Sequence, residues 1–303
     1  MGADSSKLHH DQGSKAVIIT ADDFGFSREV NRAVISTFRD GVLTAASLIV
    51  AGAARDEAAA LALEHPELDV GLHLVVCRGL SVLPPERLGG LVDDLGHFGQ
   101  QPVLAGMKYF FDRRVRSHLR DEMRAQVDTH FKLVAHLNHL DGHLNFHVHP
   151  AISAILIDLA TEYRIPCIRL PREPLLTTLR LAPDHIVRKM IESLIFKTLS
   201  RRMLKLMQSR GILTTERLFG LHQTGHLSEA YVLGLIARLP PGTTEIYFHP
   251  AEDVGAAPPP LAALMETQIL KSPKVREALG ETGARLTSFA KIAAVESQPW
   301  YGH

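Results

Sequence analysis

The chain has 303 residues, 46% of them apolar and 22% charged, with 33 Lys and Arg balanced by 33 Asp and Glu. That composition suits a soluble globular chain of one large or two small domains, and it offers no basic field for nucleic acid. No apolar run approaches the roughly 18 residues needed to span a bilayer, and Cys77 and Cys167 lack paired spacing, so reduced thiols are expected.

The opening "MGADSSKLHHDQGSK" is polar and has no apolar core of a secretory signal. Residues 1–14 are expected to be a disordered tail, and residues 15–303 a single domain. "KAVIITA" predicts a first strand, followed by the helical "SREVNRAVISTFRDG" with Ser27 as N-cap and Gly41 as stop. "LTAASLIV" is the next strand and "AARDEAAALALEHP" the next helix. "LDVGLHLVV" then precedes a Pro/Gly-punctuated insertion from about Gly79 to Pro102, and a long helix is expected over 113–135. "LNHLDGH", "IPCIRLP", "RLFGL", "TTEIYF" and "ARLTSF" are further strands, separated by helical patterns. About eight strands alternating with helices predict an α/β fold, a (β/α) barrel of TIM-barrel type with irregularities. An open doubly wound sheet is the alternative, but neither a G-x-G-x-x-G turn nor a P-loop is present.

Polar groups gather at the predicted strand ends. Asp22 and Asp23 close the first strand, His73 ends "DVGLH", His143 follows "LNHLDG", Arg169 ends "PCIRL" and His249 follows "TEIYF". In a barrel those ends meet on one face, where active sites form. "HLDGHLNFHVH" adds His139, His147 and His149, a density that favours metal ligation over a surface loop. One carboxylate with two neutral imidazoles suits Zn²⁺ and leaves positions open, while a carboxylate-rich mouth also admits Mg²⁺. One divalent ion therefore explains the doubled aspartate. Asp23 serves as ligand, and Asp22 takes a proton from water made acidic by the ion. The expected chemistry is hydrolysis.

"TADDFGFS", "VGLHL", "HLDGHLNFHVHP", "IRLPREP" and "TEIYFHPAE", in this order, resemble the YdjC-like carbohydrate deacetylases from about Lys15 to Phe289. The resemblance implies a barrel-like fold and removal of acetyl from an N-acetylated sugar. By position it implies Asp23, His73 and His143 as metal ligands, Asp22 as base and His249 as the acid protonating the amine. Arg169, Asn145, His147 and Glu173 are the expected substrate contacts. Asn145 stands where relatives usually carry histidine.

"DGVLTAASLIVAGAA", "VVCRGLSVLPPERLGGLVD" and "AGMKYFFDRRVRSHLRDEMRAQ" are similar to one branch, the hopanoid biosynthesis-associated HpnK proteins. This implies an N-acetylglucosaminyl hopanoid as substrate, with soluble chito-oligosaccharides or a silent carbohydrate- or lipid-binding barrel as alternatives. From Leu175 to Arg210, basic residues interleave with apolar ones in a predicted helical insertion. Such a helix suits an anionic membrane surface, although an outer barrel helix with a solvated basic face has the same pattern. Arg188, Lys197, Arg201 and Lys205, with Met107 and Phe110 of "MKYFF", are the expected lipid contacts. The expected location is cytoplasmic, peripheral at the inner face of the membrane, and no nucleic-acid partner is expected.

Overall fold

The computed structural model describes residues 13–255 and 258–296. The tail expected over residues 1–14 lies outside them except for its last two residues.

Eight strands follow one another among the described residues: β1 (Lys15–Phe24), β2 (Ala45–Leu48), β3 (Asp69–Leu74), β4 (His139–Gly142), β5 (Cys167–Ile168), β6 (Arg217–Phe219), β7 (Gly242–Phe248) and β8 (Ala284–Leu286). All pairings between them are parallel, and the main path runs β5-β4-β3-β2-β1-β7-β6. The sheet curls so that its ends approach: Leu213, just ahead of β6, pairs in parallel with Cys167 of β5. The result is the expected barrel-like α/β fold, not an open doubly wound sheet. Its ring departs from eightfold regularity because β7 pairs directly with β1 from Lys15 to Ala21. β8 is displaced to the other edge of β1, against Lys15–Val17, below the stretch where β2 pairs.

Side-chain alternation, with period 2 along a strand, divides the sheet into two chemistries. Val17, Ile19 and Ala21 face outward with Val70, Leu72, Ile246 and Phe248 into the main apolar core beneath the helices. Ile18, Ala45 and Cys167 face inward and pack with Phe289 and Ile292 as a small plug at the floor of the barrel. Above that plug the interior is polar: Thr20, Asp22, Ser47, His73, Asp141, Arg169 and Glu245 are all buried.

The helices follow from local signals. The Ser27 hydroxyl accepts the Val30 N–H at 3.4 Å and starts helix Arg28–Asp40, after which Gly41 stands as expected. Ser228 caps Glu229–Ile236 in the same way. The long helix covers Arg113–Leu133. Residues 79–101 form a 3₁₀ turn, Pro85–Arg87, and two isolated antiparallel bridges, leading into helix Pro102–Phe111. The expected insertion is two helices, Leu175–Leu181 and Ile186–Ser209, broken at His185 with φ of 46°. Among the described residues no helix is long and apolar enough to cross a membrane.

Candidate active site

Consecutive strand residues point to opposite faces, so two adjacent aspartates should not share a mouth. The backbone resolves this at Asp23, whose φ of 66° takes it into the left-handed region. Asp tolerates that conformation better than most residues because its short side chain bonds locally. The β1–β2 register also shifts between Ala21 and Phe24. Asp22 thus points inward from the strand, while Asp23 turns at its end toward His73 and His143.

Asp23 Oδ1 lies 3.3 Å from His73 Nε2 and 3.2 Å from His143 Nδ1. One donor atom from each of the three falls within 4.8 Å of the others. His73 sits opposite Asp141 in the β3–β4 ladder, and its Nδ1–H donates to Asp141 Oδ1 at 2.7 Å. That bond turns the buried Nε2 toward Asp23, its facing carboxylate at 3.3 Å. A carboxylate behind a ligating histidine is the usual way its ring is oriented and made more basic. His143 is carried by a tight turn, His143–Val148, in which Leu144 and Asn145 have φ of 58° and 52°. Gly142 permits that turn, since a Cβ there would meet His147 Cβ at 2.9 Å.

The electrostatics match the geometry. Burial opposes charge on Asp23, but hydrogen bonds from His143 and His73, with the fields of His73 and His249, hold its carboxyl well below the usual range. Burial likewise opposes charge on His73, yet Asp141, Asp22 and Asp23 raise it well above the ordinary value. A field that draws a proton to His73 Nε2 draws a divalent cation for the same reason. The donor set therefore fits one divalent ion.

Beneath this mouth lies an ion-pair hub. Arg169 grips Asp22 through two nitrogens at 2.7 and 2.8 Å, Asp141 at 2.9 Å and Glu245 at 2.7 Å. Its guanidinium carbon lies 4.8 Å from the centroid of the Tyr247 ring. Arg169, an expected substrate contact, has zero exposure with all three side-chain nitrogens engaged, and it orients Asp22. His147, another, is fully buried, bonds the Arg169 carbonyl at 3.0 Å, and burial lowers it to about 4. The Glu173 carboxylate accepts from Thr178 and from the His222 N–H, stapling the loop before Leu175–Leu181. Asn145 is buried with its amide N–H donating to the Tyr247 hydroxyl at 3.3 Å.

His249 is half-buried at the end of β7, with its ring 5.5 Å from that of Tyr247. Its backbone N–H donates to Glu266, a buried carboxyl that burial pushes up. Two other histidines of the dense motif stay out of the site. His139 stacks on Phe289 at 4.2 Å, and His149 caps helix Pro150–Glu162. Met107, Phe110, Arg188, Lys197, Arg201 and Lys205 are all exposed. Ser47, Asp141, Glu245 and Glu266 were missed by the sequence reading. Asp141 alone had a signal, a carboxylate on the predicted strand "LNHLDGH".

Residues 16–281 match the family model described as YdjC-like protein. The chain belongs to the YdjC-like family. A carbohydrate deacetylase of Brevibacillus brevis is 38% identical over 152 residues, covering 50% of this chain and 57% of the relative. One of Thermoanaerobacter pseudethanolicus is 24% identical over 237 residues, covering 78% of this chain and 81% of the relative. This YdjC-like chain thus spans a little over half the length of the first curated relatives it matches. A crystal structure from Enterococcus faecalis, of a protein proposed to cleave cellobiose phosphate, shares the fold. It has a TM-score of 0.72 at 24% identity and covers 92% of this chain and 99% of that one.

Proposed function

We propose that this YdjC-like chain is a metal-dependent carbohydrate N-deacetylase, hydrolysing the acetamide of an N-acetylglucosamine-type sugar. The observation that carries the reading is the convergence of Asp23, the buried His73 Nε2 and His143, with one donor atom of each within 4.8 Å of the others. The carbohydrate deacetylases among the relatives support the substrate class.

Asp23, His73 and His143 would hold the ion, with Zn²⁺ favoured by one carboxylate and two imidazoles, and Mg²⁺ as the alternative. When bound, the ion supplies Lewis acidity that polarises the acetyl carbonyl and brings the pKa of water toward neutrality. Asp22, held by the Arg169 fork, takes a proton from the attacking water, whose oxygen adds to the carbonyl carbon. His249 gives a proton to the sugar nitrogen as the C–N bond breaks. Acetate and the free amine result. Asp141 keeps the His73 ring fixed throughout, and Glu266 fixes the backbone of His249.

Within that class the proposed substrate is an N-acetylglucosaminyl hopanoid, on the resemblance of three segments to the HpnK branch. The enzyme would work in the cytoplasm, peripherally at the inner membrane face. Met107 and Phe110, 47% and 44% exposed, would meet lipid together with Arg188, Lys197, Arg201 and Lys205.

The test combines metal analysis of the purified protein with acetate release from N-acetylglucosaminyl hopanoid and from N,N′-diacetylchitobiose. Metal-dependent release from the hopanoid conjugate in preference to the soluble sugar is expected. Preference for the disaccharide would refute the lipid substrate, and no acetate from either would refute the deacetylase.

A further inference from the structure

A cavity of about 870 Å³ lies between helices Leu175–Leu181 and Ile186–Ser209 and the loops around β5 and β6. Its apolar lining comes from Leu175, Leu176, Phe196, Leu204 and Leu221. Arg172, Lys197, Arg201 and Arg217 line it as well. Arg217 is already paired with Glu216 at 3.2 Å. Lys197 and Arg201 have no ion-pair partner among the described residues, Arg172 feels Glu216 without a close ion pair, and the other carboxylate, Glu173, is taken by Thr178 and the His222 N–H. The lining thus carries four cations against two carboxylates, an excess that favours an anion in the space.

The helix forming this wall has an unusual outer face. Its inner side buries Lys189, Ser200, Met203 and Met207. On the opposite side Val187, Met190, Ile191 and Leu194, spaced for one helical face, are 70%, 54%, 55% and 69% exposed. The same stripe continues as Lys197, Arg201 and Lys205, all exposed. It changes from apolar to basic midway, at the edge of the cavity. Leu176, 71% exposed, adds to the apolar end.

We propose that the cavity binds the phosphate of an acidic membrane phospholipid, with Arg172, Lys197 and Arg201 around the headgroup and the stripe Val187–Leu194 among the acyl chains. A helix that is apolar at one end and basic at the other fits the boundary between hydrocarbon and anionic headgroups. A second copy of the chain fits poorly, since a twofold contact brings one patch against itself and sets unpaired cations against cations or apolar side chains. The inference deepens the peripheral docking proposed above and rests on it, not on the deacetylase reading.

The test is co-sedimentation of the full chain with vesicles of phosphatidylcholine alone, or with phosphatidylglycerol added, at 0.1 M NaCl. Binding is expected only with phosphatidylglycerol. Arg172→Gln and Arg201→Gln should each weaken it about fivefold, and Leu194→Ser should weaken it too. Arg285→Gln, on β8 at the other end of the barrel, should not. Thermal unfolding followed by circular dichroism verifies that each variant folds. Equal binding to neutral vesicles, or cavity variants indistinguishable from Arg285→Gln, would overturn the headgroup site while leaving membrane docking intact. If no vesicle binds but inorganic phosphate does so through Arg172, the ligand is a soluble phosphate and the lipid assignment fails. Dimerisation through Leu194 without vesicle binding overturns it as well.

Discussion

Replacing Arg169 by methionine keeps much of its length and removes its charge. Asp22, Asp141 and Glu245, each within 2.9 Å of the guanidinium, would then share a buried space without it. Removing one partner of a buried ion pair costs about 3–5 kcal/mol, and with three carboxylates left behind the upper end applies. A loss of about 5 kcal/mol in a chain of this size lowers Tm by about 10 °C or more. The pH dependence carries the stronger test. In the wild type, burial opposes charge on Asp141, but Arg169 and His73 outweigh it and hold the carboxyl below the usual range. A depressed carboxyl adds stability that is present above its unfolded pKa of about 3.9 and lost as pH falls through the folded value. Without Arg169, burial should raise the Asp141 carboxyl. Its penalty is then full at neutral pH and relieved as it takes up a proton. The Tm gap between Arg169→Met and wild type, measured by circular dichroism from pH 8 to pH 5, should therefore narrow as pH falls. A gap below about 2 °C at pH 7, or one that is flat with pH, would refute the claim that Arg169 keeps Asp141 charged.

Ala at Asp23, His73 or His143 should lower metal occupancy and turnover together, and should abolish the rise in Tm that added Zn²⁺ gives chelator-treated wild type; retained occupancy in all three would remove them as ligands. Asp22→Asn should keep the ion and lose most activity, and His249→Ala should keep it with a rate loss of about 10²–10⁴; loss of metal in Asp22→Asn with retention in Asp23→Asn would reverse the two roles. His130, buried on Arg113–Leu133, is pushed down to about 4 by burial and the nearby His139. Because its folded value is depressed, stability should be full above about pH 6.5 and fall by roughly 2–3 kcal/mol toward pH 4, with urea titrations of His130→Phe showing a shallower slope.

The strand ends were legible because they carry charged or ligating residues after apolar runs, which sequence displays directly. Asp23, His73 and His143 lie in three motifs far apart in the chain, and parallel strands deliver all three to one end of the barrel. What stands behind them was less visible. Arg169 ends a strand as a substrate residue would, and only the register of β4 and β5 shows it held inside among carboxylates. Glu245 sits within "TTEIYF", where it passes for a residue on a solvated strand face. It is inward because β7 pairs directly with β1, and the displacement of β8 that allows this leaves no mark in the hydrophobic pattern. The dense histidine motif misled for a related reason: His139 and His147 serve packing and a backbone carbonyl, and composition does not separate those uses from ligation.

The apolar alternation of β1 nevertheless contained more than a strand. In "VIITADD", Val17, Ile19 and Ala21 are small or branched and face the helices, while Ile18, Thr20 and Asp22 grow steadily more polar toward the mouth. That gradient is what a barrel interior needs if it is closed by an apolar plug at its floor and opens onto chemistry at its top. Asp23 breaks the alternation, and its left-handed φ is what lets a second carboxylate join the first. Had Asp23 continued the strand, its carboxylate would have turned outward into the apolar layer under the helices, where burial penalises charge. The doubled aspartate and the backbone turn are therefore one device. The turn puts Asp23 beside two imidazoles, and Arg169 neutralises the neighbour it leaves behind.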